Sequence, residues 1–277
     1  MKEIILIVGH GSRGPGGNEE IAEFVEDFKS NYTELPVELC YIEFAEVLLA
    51  EGLKNAAAKA EKVIVVPLIL NAAGHVKMEI PQAIEEVRKD FPKISFILAK
   101  HIGAVDKVLD VLKRQLTQVA HALSQPDPKT TGVILLGRGS SDRIANGEVS
   151  KMARWLYEEC DHDLVDIAFT GITFPRLESA VKAQVALGMT QIIVLPYYLF
   201  NGRLMERIDA QVDRLNMTYP QIAFGLGEYF GFEKEIYELV KERIAQTSEK
   251  NPKMMECDGC NYRKEAESEH HHDHHHH

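Results

Sequence analysis

The sequence predicts an α/β protein made of two similar domains, each a four-stranded parallel sheet flanked by helices. Three observations predict this class: short apolar runs typical of buried strands, amphipathic stretches between them, and a second half that repeats the first. The chain has 277 residues, enough for two domains of ordinary size. We expect the two domains to face each other across a cleft, a common place for a small-molecule site.

The first half alternates strands with helices. Its β-branched run at residues 4–8 predicts a buried strand, which ends at Gly9-His10-Gly11, where two glycines allow a sharp turn. Further strands are predicted over 37–42, 63–69 and 94–98, and helices over 18–30, 45–60, 79–90 and 105–123. This alternation makes the strands parallel and covers both faces of the sheet with helices.

The second half repeats the first after a linker. Pro126 and Pro128 stand among small polar residues over 124–131, a composition typical of a connection between domains. The run at residues 133–141 then matches the opening strand and turn, with Gly137 at the position of Gly9. The repeat predicts an N-terminal domain over 1–124, a C-terminal domain over 132–246 and a flexible tail over 247–277.

Three side chains with metal-ligand chemistry follow three strands of the first half. His10 and Glu43 come at the ends of the first and second strands, and His75 follows Gly74 after the third. Because the carboxyl ends of parallel strands meet at one edge, we expect these side chains to lie together. Two imidazoles and a carboxylate suit a divalent transition metal, and a neutral imidazole also serves as a base near neutral pH. The alternative is that each histidine only completes its own turn.

The second half has lost these ligands. Arg138 stands at the position of His10, Gly171 at that of Glu43, and Arg203 at that of His75. A guanidinium group is permanently charged and does not replace imidazole as a metal ligand. We therefore expect the metal site only in the first half.

The spacing GxGxxG that begins at Gly9 also fits a dinucleotide-binding turn, with Glu43 as the ribose-binding acid. Residues 15–17 delay the helix, which leaves no helix N-terminus against the turn to bind a pyrophosphate. The second half has Asp142 in place of the third glycine. A dinucleotide-dependent oxidoreductase therefore remains as an alternative.

The tail carries a CxxC pair, Cys257 and Cys260, and an interrupted run of histidines. Two thiolates do not complete an iron–sulfur cluster, but two tails in a homodimer would supply four. The alternatives are a regulatory disulfide and a cysteine pair without function. The histidines predict a local reservoir for Co, Ni or Zn ions, unless they are a purification tag. They are His270, His271, His272, His274, His275, His276 and His277.

Composition narrows the class of protein further. The formal net charge of −11 argues against nucleic acid as a partner, because phosphate binding needs concentrated Lys and Arg. No apolar run approaches the roughly 20 residues of a membrane span, and no apolar segment follows a basic start. We therefore expect a cytoplasmic protein without a membrane partner. The two remaining cysteines, Cys40 and Cys160, are predicted to be inert small apolar residues.

Three segments resemble a known family: GHGSR at residues 9–13, YIEFAE at 41–46 and GHVKMEIP at 74–81. They are similar to the sirohydrochlorin chelatases, and within that family to the long-form cobaltochelatases of the anaerobic cobalamin pathway. The resemblance covers residues 1–246 and extends to the tail, because long members carry a Met-x-Cys-x-x-Cys segment and a His-rich end. Val47 is a departure, since relatives often have proline there.

The resemblance implies an enzyme, a lyase-type chelatase that inserts Co²⁺ into sirohydrochlorin without ATP. It implies that His10 and His75 bind the ion, that one of them takes a pyrrole proton, and that Glu43 is a third ligand. It also implies that a loop lines the tetrapyrrole, formed by Leu70, Asn71, Ala72, Ala73 and Gly74. Because carboxylates surround the ring that the resemblance implies, we expect Arg138 and Arg203 to bind them from the opposite wall of the cleft. A ferrochelatase for siroheme and a cobalt or nickel storage and delivery protein remain alternatives, because the same ligands accept Co²⁺, Fe²⁺ and Ni²⁺.

Overall fold

The computed structural model describes residues 2–14, 16–123 and 127–248, and the side chains of His75 and Arg203 lie outside this description. The first half contains β1 (Glu3–Gly9), β2 (Val37–Tyr41), β3 (Lys62–Pro67) and β4 (Ser95–Leu98), which form a parallel sheet in the order β2-β1-β3-β4. The second half contains β5 (Thr131–Gly137), β6 (Val165–Phe169), β7 (Gln191–Pro196) and β8 (Ala223–Leu226), in the corresponding order β6-β5-β7-β8. The predicted class, with two repeated four-stranded parallel sheets flanked by helices, is confirmed.

Helices connect the strands as the alternation predicts. They are α1 (Gly17–Tyr32), α2 (Leu49–Ala57), α3 (Ile80–Asp90), α4 (Asp106–Ala122), α5 (Arg143–Glu158), α6 (Leu177–Ala186), α7 (Arg203–Thr218) and α8 (Lys234–Gln246). Within the described ranges, none of these helices has the length and apolarity that crossing a membrane requires.

The main differences from the predicted helices are at α2 and before α3. The helix expected over 45–60 spans only Leu49–Ala57, because Leu48 forms a bridge with Tyr41 in which the N–H of Tyr41 donates to the carbonyl of Val47 at 3.0 Å. The helix expected from residue 79 begins at Ile80 and is preceded by a π-helical turn, His75–Glu79. Such turns are frequent at functional sites, because they change the face that each side chain occupies.

Each sheet forms the centre of a hydrophobic core. In the first half, alternate residues of β1 (Ile4, Leu6 and Val8) pack in a buried cluster that includes residues of α2 and α3. In the second half, Ile134 and Leu136 of β5 pack in a corresponding cluster with residues of α6 and α7. Full burial of such a side chain contributes about 1.5–3 kcal/mol, so the strands are the most firmly held parts of the chain.

The described chain divides into two compact units that follow the sheets. Among the described residues, unit 1 comprises those within 2–12, 21–103 and 237–248, and unit 2 comprises those within 13–20 and 104–236. Unit 1 thus contains most of α8, and unit 2 contains α4, so each unit includes a helix from the other sequence repeat. The domain limits 1–124 and 132–246, which follow the sequence repeat, stay a prediction, as does the cleft.

Candidate metal site

Backbone pairing continues beyond β1 and β2 and fixes the first two predicted ligands side by side. The N–H of Ile42 donates to the carbonyl of Gly9 at 3.0 Å, and the N–H of Glu43 donates to the carbonyl of His10 at 3.1 Å. Gly11 has φ +93°, and a Cβ there would lie 1.7 Å from the carbonyl oxygen of Glu43. Because only glycine permits this approach, Gly11 sets the distance between the two loops.

The structure brings the side chains of His10 and Glu43 together at the carboxyl edge of the first sheet. His10 Nδ1 lies 3.5 Å from Glu43 Oε1 and 3.2 Å from the carbonyl oxygen of Gly11. The side chains are 27% and 34% exposed, so both are reachable from solvent. An imidazole and a carboxylate at this separation can share a divalent cation, or the carboxylate can orient the imidazole and stabilise its protonated form.

His75 begins the π-helical turn that follows the loop after β3. Among the described side chains, no group of three or more His, Cys, Asp or Glu residues has the geometry to hold a metal. Because the side chain of His75 is outside that set, the described part of the site is the pair of His10 and Glu43. The three-ligand site stays a prediction.

The loop predicted to line the tetrapyrrole has a buried and an accessible side. Leu70 and Ala72 are buried, whereas Asn71, Ala73 and Gly74 are half-buried. The carbonyl of Ala73 accepts hydrogen bonds of 3.0 Å from the N–H groups of residues 76 and 77, which starts the helical turn. The accessible members are therefore the ones able to contact a ligand.

Sequence reasoning missed the burial of Lys77, which is only 2% exposed although it lies two residues after His75. Lysine is rarely buried, so its residue type favours the solvent face. Its position three, seven and ten residues before the buried Ile80, Ile84 and Val87 is the signal that would have indicated the buried face.

The second half repeats the backbone of the site. The N–H of Thr170 donates to the carbonyl of Gly137, and that of Gly171 to the carbonyl of Arg138, both at 2.9 Å. Gly139 has φ +87°, and a Cβ there would lie 2.1 Å from the carbonyl oxygen of Gly171, as at Gly11 in the first half. Arg138 and Gly171 therefore occupy the backbone positions of the two first-half ligands.

Sequence reasoning also missed Arg176, which precedes α6. Phe169 bridges to Arg176 as Tyr41 bridges to Leu48, so the arginine occupies the position of a first-half leucine. Its guanidinium carbon lies 4.8 Å from the centroid of the Phe174 ring. Its Nη1 is buried and has no hydrogen-bond partner among the described residues. Extending the repeat alignment beyond Gly171 would have found this replacement.

Tyr198 lies beside Thr170, which follows β6 in the second half. The Tyr198 hydroxyl is 2.9 Å from Thr170 Oγ1. Burial raises the pKa of Tyr198 to about 12, although the hydrogen bond with Thr170 and the nearby charge of Arg138 act in the opposite direction. The hydroxyl therefore stays protonated at neutral pH and is a neutral hydrogen-bonding group.

The middle glycine of the GxGxxG spacing has a local explanation. Gly11 is required by the carbonyl of Glu43, and α1 begins only at Gly17. In the second half, the Asp142 carboxylate accepts a 2.9 Å hydrogen bond from the N–H of Ile144 and caps α5. Gly11 therefore needs no bound dinucleotide to account for it.

The cysteines of the described chain have no partner for a disulfide. Both Cys40, which is buried, and Cys160, which is half-buried, are free thiols. Burial, with a smaller contribution from Glu38, raises the pKa of Cys40 to about 12, which keeps it protonated and unreactive. The CxxC pair and the seven terminal histidines lie outside the described residues.

These features define a class of α/β protein in which a repeated parallel sheet carries metal-ligand side chains at one carboxyl edge and arginines at the equivalent edge. The chain belongs to the CbiX family, which it matches over residues 4–119 and 132–247. The resemblance predicted from the sequence is thereby confirmed.

Individual relatives agree with this membership. The chain is 37% identical to the sirohydrochlorin cobaltochelatase of Priestia megaterium, over 94% of this chain and 84% of the relative. It is 29% identical to the sirohydrochlorin ferrochelatase of Bacillus subtilis, over 95% of this chain and 98% of the relative. The crystal structure of the sirohydrochlorin chelatase SirB from Bacillus subtilis subspecies spizizenii, in complex with cobalt, matches with a TM-score of 0.74 and 27% identity, over 90% of this chain and 96% of that one.

Proposed function

We propose that this protein is a metal chelatase that inserts Co²⁺ into sirohydrochlorin without nucleotide hydrolysis. The observation that carries the proposal is the pair of His10 and Glu43, half-buried at the carboxyl edge of the first sheet with 3.5 Å between Nδ1 and Oε1. The relative with 37% identity is named a cobaltochelatase, whereas two ferrochelatase relatives share 26% and 29% identity with this chain. Cobalt is therefore preferred to iron as the metal.

The chemistry asks the protein to remove water from the ion and protons from the ring. Co²⁺ is a substrate, and its insertion replaces two pyrrole protons. His10 and Glu43, with His75 as third ligand, replace part of the hydration shell of the ion with exchangeable nitrogen and oxygen ligands. One neutral imidazole accepts one of the two pyrrole protons, and the carboxylate of Glu43 stabilises the imidazolium that forms. The second proton passes to solvent.

Sirohydrochlorin carries carboxylates around its ring, and the chain has a net charge of −11. Local cations are therefore needed where this substrate binds. Arg138 and Arg203 supply them at the positions equivalent to the first-half histidines. The accessible residues Asn71, Ala73 and Gly74 contact the ring.

Iron is the second candidate metal, favoured by the ferrochelatase of Bacillus subtilis, which matches over 95% of the chain. The test incubates the anaerobically purified protein with sirohydrochlorin and either Co²⁺ or Fe²⁺, while the visible spectrum reports insertion. Many turnovers with a higher kcat/KM for Co²⁺ support the proposal. A higher kcat/KM for Fe²⁺ assigns the ferrochelatase reaction. Stoichiometric metal uptake without turnover overturns the assignment as an enzyme and favours a storage and delivery protein.

A further inference from the structure

The loops around Gly171 in the second half carry more positive charge than the equivalent loops of the first half. At the three equivalent backbone positions, the first half has His10, Glu43 and Leu48, and the second half has Arg138, Gly171 and Arg176. With a neutral histidine, the formal charge of this set changes from −1 to +2. A change of this size and direction converts a place that suits a cation into one that suits an anion.

The glycine at position 171 is not required by the backbone. Gly139 has a positive φ and would collide with a carbonyl if it carried a Cβ, but Gly171 has neither constraint. A Cβ at 171 would meet only the carbonyl oxygen of Arg138 at 3.7 Å and Nη1 of Arg176 at 3.9 Å, which are ordinary contacts. The missing side chain therefore leaves space beside the Arg176 guanidinium.

The guanidinium of Arg176 is incompletely satisfied in the described structure. Its Nη1 is buried and makes no hydrogen bond to any described residue, although the side chain as a whole is partly exposed. A buried donor on a charged group costs free energy unless an acceptor reaches it. An anion that enters beside Gly171 would provide that acceptor and offset the cost.

Exposed apolar side chains on the same loop indicate what kind of anion fits. Ile172 is 61% exposed and Phe174 is 72% exposed, and the Phe174 ring stacks against the Arg176 guanidinium. A small inorganic anion would gain nothing from these side chains. A flat molecule with an apolar ring and peripheral carboxylates would contact both the arginine and the apolar surface.

We propose that Arg176, together with Arg138, binds a peripheral carboxylate of the tetrapyrrole in the space beside Gly171. This role rests on the proposed chelatase function and adds Arg176 to its substrate-binding residues. It makes Arg176 a determinant of KM for the tetrapyrrole, with no part in metal binding.

The test uses replacements taken from the equivalent positions of the first half. Arg176→Leu restores the first-half residue, and Gly171→Glu restores the first-half carboxylate, which would pair with the arginines in place of the substrate. We expect each change to raise KM for sirohydrochlorin about ten- to a hundredfold, with kcat and the apparent affinity for Co²⁺ unchanged. Arg176→Lys should recover part of the loss. The matched control is Arg214→Leu, at an exposed position of α7.

The outcomes separate this inference from the proposed function. If the wild-type protein inserts cobalt and Arg176→Leu keeps the wild-type KM, the carboxylate site is wrong and the chelatase remains. A lower melting temperature with an unchanged KM would show that Arg176 only stabilises its loop, which also overturns the inference. If the wild-type protein neither binds nor metallates sirohydrochlorin in spectroscopic titrations, the proposed function itself fails.

Discussion

The loops that carry His10 and Glu43 lie close together because Gly11 has no side chain. Gly11 allows the loop after β1 to approach the loop after β2, and the two polar side chains project from these loops within 4 Å of each other. The residue types identified His10 and Glu43 as candidate ligands, but the separation of the two side chains depends on a backbone contact. The same contact recurs at Gly139, where the ligands are absent. The close approach of the two loops is therefore a property of the fold that both halves share, whichever side chains the loops carry.

Replacing Gly11 with alanine should separate the two loops, because the new Cβ would lie 1.7 Å from the carbonyl oxygen of Glu43. We expect a destabilisation of about 1–3 kcal/mol and a loss of at least tenfold in chelatase turnover. Thermal unfolding and the spectroscopic insertion assay measure the two effects. Gly147→Ala, at a position in α5 with no atom within 4 Å of the added Cβ, should leave turnover unchanged. Wild-type turnover in the Gly11 variant would show that the spacing of the loops is not critical.

Replacing His10 with alanine should lower turnover by about 10²- to 10⁴-fold, the range for loss of a proton-transferring ligand. The melting temperature should change little, because the side chain is partly exposed and lies outside the hydrophobic cores. His121→Ala provides the matched surface control, since this histidine is exposed near the end of α4. Turnover within a few-fold of the wild type would remove His10 from the catalytic residues.

The strands and the edge that carries His10 and Glu43 could be predicted from the sequence, because buried β-branched runs and glycine turns are local signals. Among the described residues, the missing hydrogen-bond partner of Arg176 Nη1 and the π-helical turn that contains Lys77 could not. The surroundings of Arg176 depend on its packing beside Gly171 and Phe174, and residue types do not specify a π-helical turn. Both depend on three-dimensional packing.

The last helix is held to unit 1 by a buried arginine. Arg243 of α8 donates hydrogen bonds of 2.7 and 2.6 Å to the carbonyls of His101 and Ile102, which follow β4. The same segment pairs with the loop after β3, since the N–H of Gly103 donates to the carbonyl of Leu70 at 2.9 Å. The position of α8 is therefore connected to the loop that leads to His75.

Replacing Arg243 with methionine should leave two buried carbonyls without their donor. We expect a loss of about 2–4 kcal/mol in the free energy of unfolding, measured by urea denaturation. Arg214→Met, at an exposed position of α7, should cost less than about 0.5 kcal/mol. Equal stability of the two variants would mean that α8 is held by apolar packing alone.

An ion pair links α4 with the start of α8. Arg114 contacts Glu235 at 2.9 Å and Glu233 at 2.7 Å. Burial by itself would raise the pKa of Glu235, but hydrogen bonds and the charge of Arg114 outweigh it, so the pKa lies below its ordinary value of 4.5. The pair therefore contributes stability above pH 4.5, and this contribution disappears as the pH falls through the folded-state pKa.

Arg114→Met should reduce the free energy of unfolding by roughly 1–2 kcal/mol at pH 7, a modest value because Arg114 is partly exposed. The difference from the wild type should stay constant between pH 7 and about 5 and should shrink on further acidification, since protonated Glu235 gains little from the arginine. Urea denaturation at a series of pH values measures this difference. A gap that is constant down to pH 3 would contradict the electrostatic explanation.

The elements were predictable in number and order, but their ends were not. The alternation of patterns predicted the described strands and helices in sequence, and the late start of α2 follows from a backbone bridge between Tyr41 and Leu48. Neither residue signals this bridge, because it depends on the course of the chain after β2. Boundaries set by such contacts require the structure.

At the scale of the whole molecule, the family match covers both sequence repeats before the tail begins. Family similarity ends at residue 247, and Arg243 lies before that point. Truncation after Ser248 should therefore leave turnover unchanged at saturating Co²⁺. At scarce Co²⁺, the truncated protein should be slower, because it lacks the histidines that we expect to concentrate the ion.

The measurement is the initial insertion rate over a range of free Co²⁺ concentrations, with and without the tail. A full-length variant with all seven terminal histidines changed to serine is the matched control, because it keeps the chain length and the CxxC pair. Identical curves for all three proteins would remove the reservoir from the function of the tail.

The exchange of helices between the units has a consequence for expressing each half alone. Among the described segments, the chain passes from one unit to the other after residues 12, 20, 103 and 236. A protein severed within 124–131 would yield two fragments, and the C-terminal one would lack α4, which packs on β7 and β8. The N-terminal fragment would lack the part of α8 that belongs to unit 1. We therefore expect neither fragment to fold stably by itself.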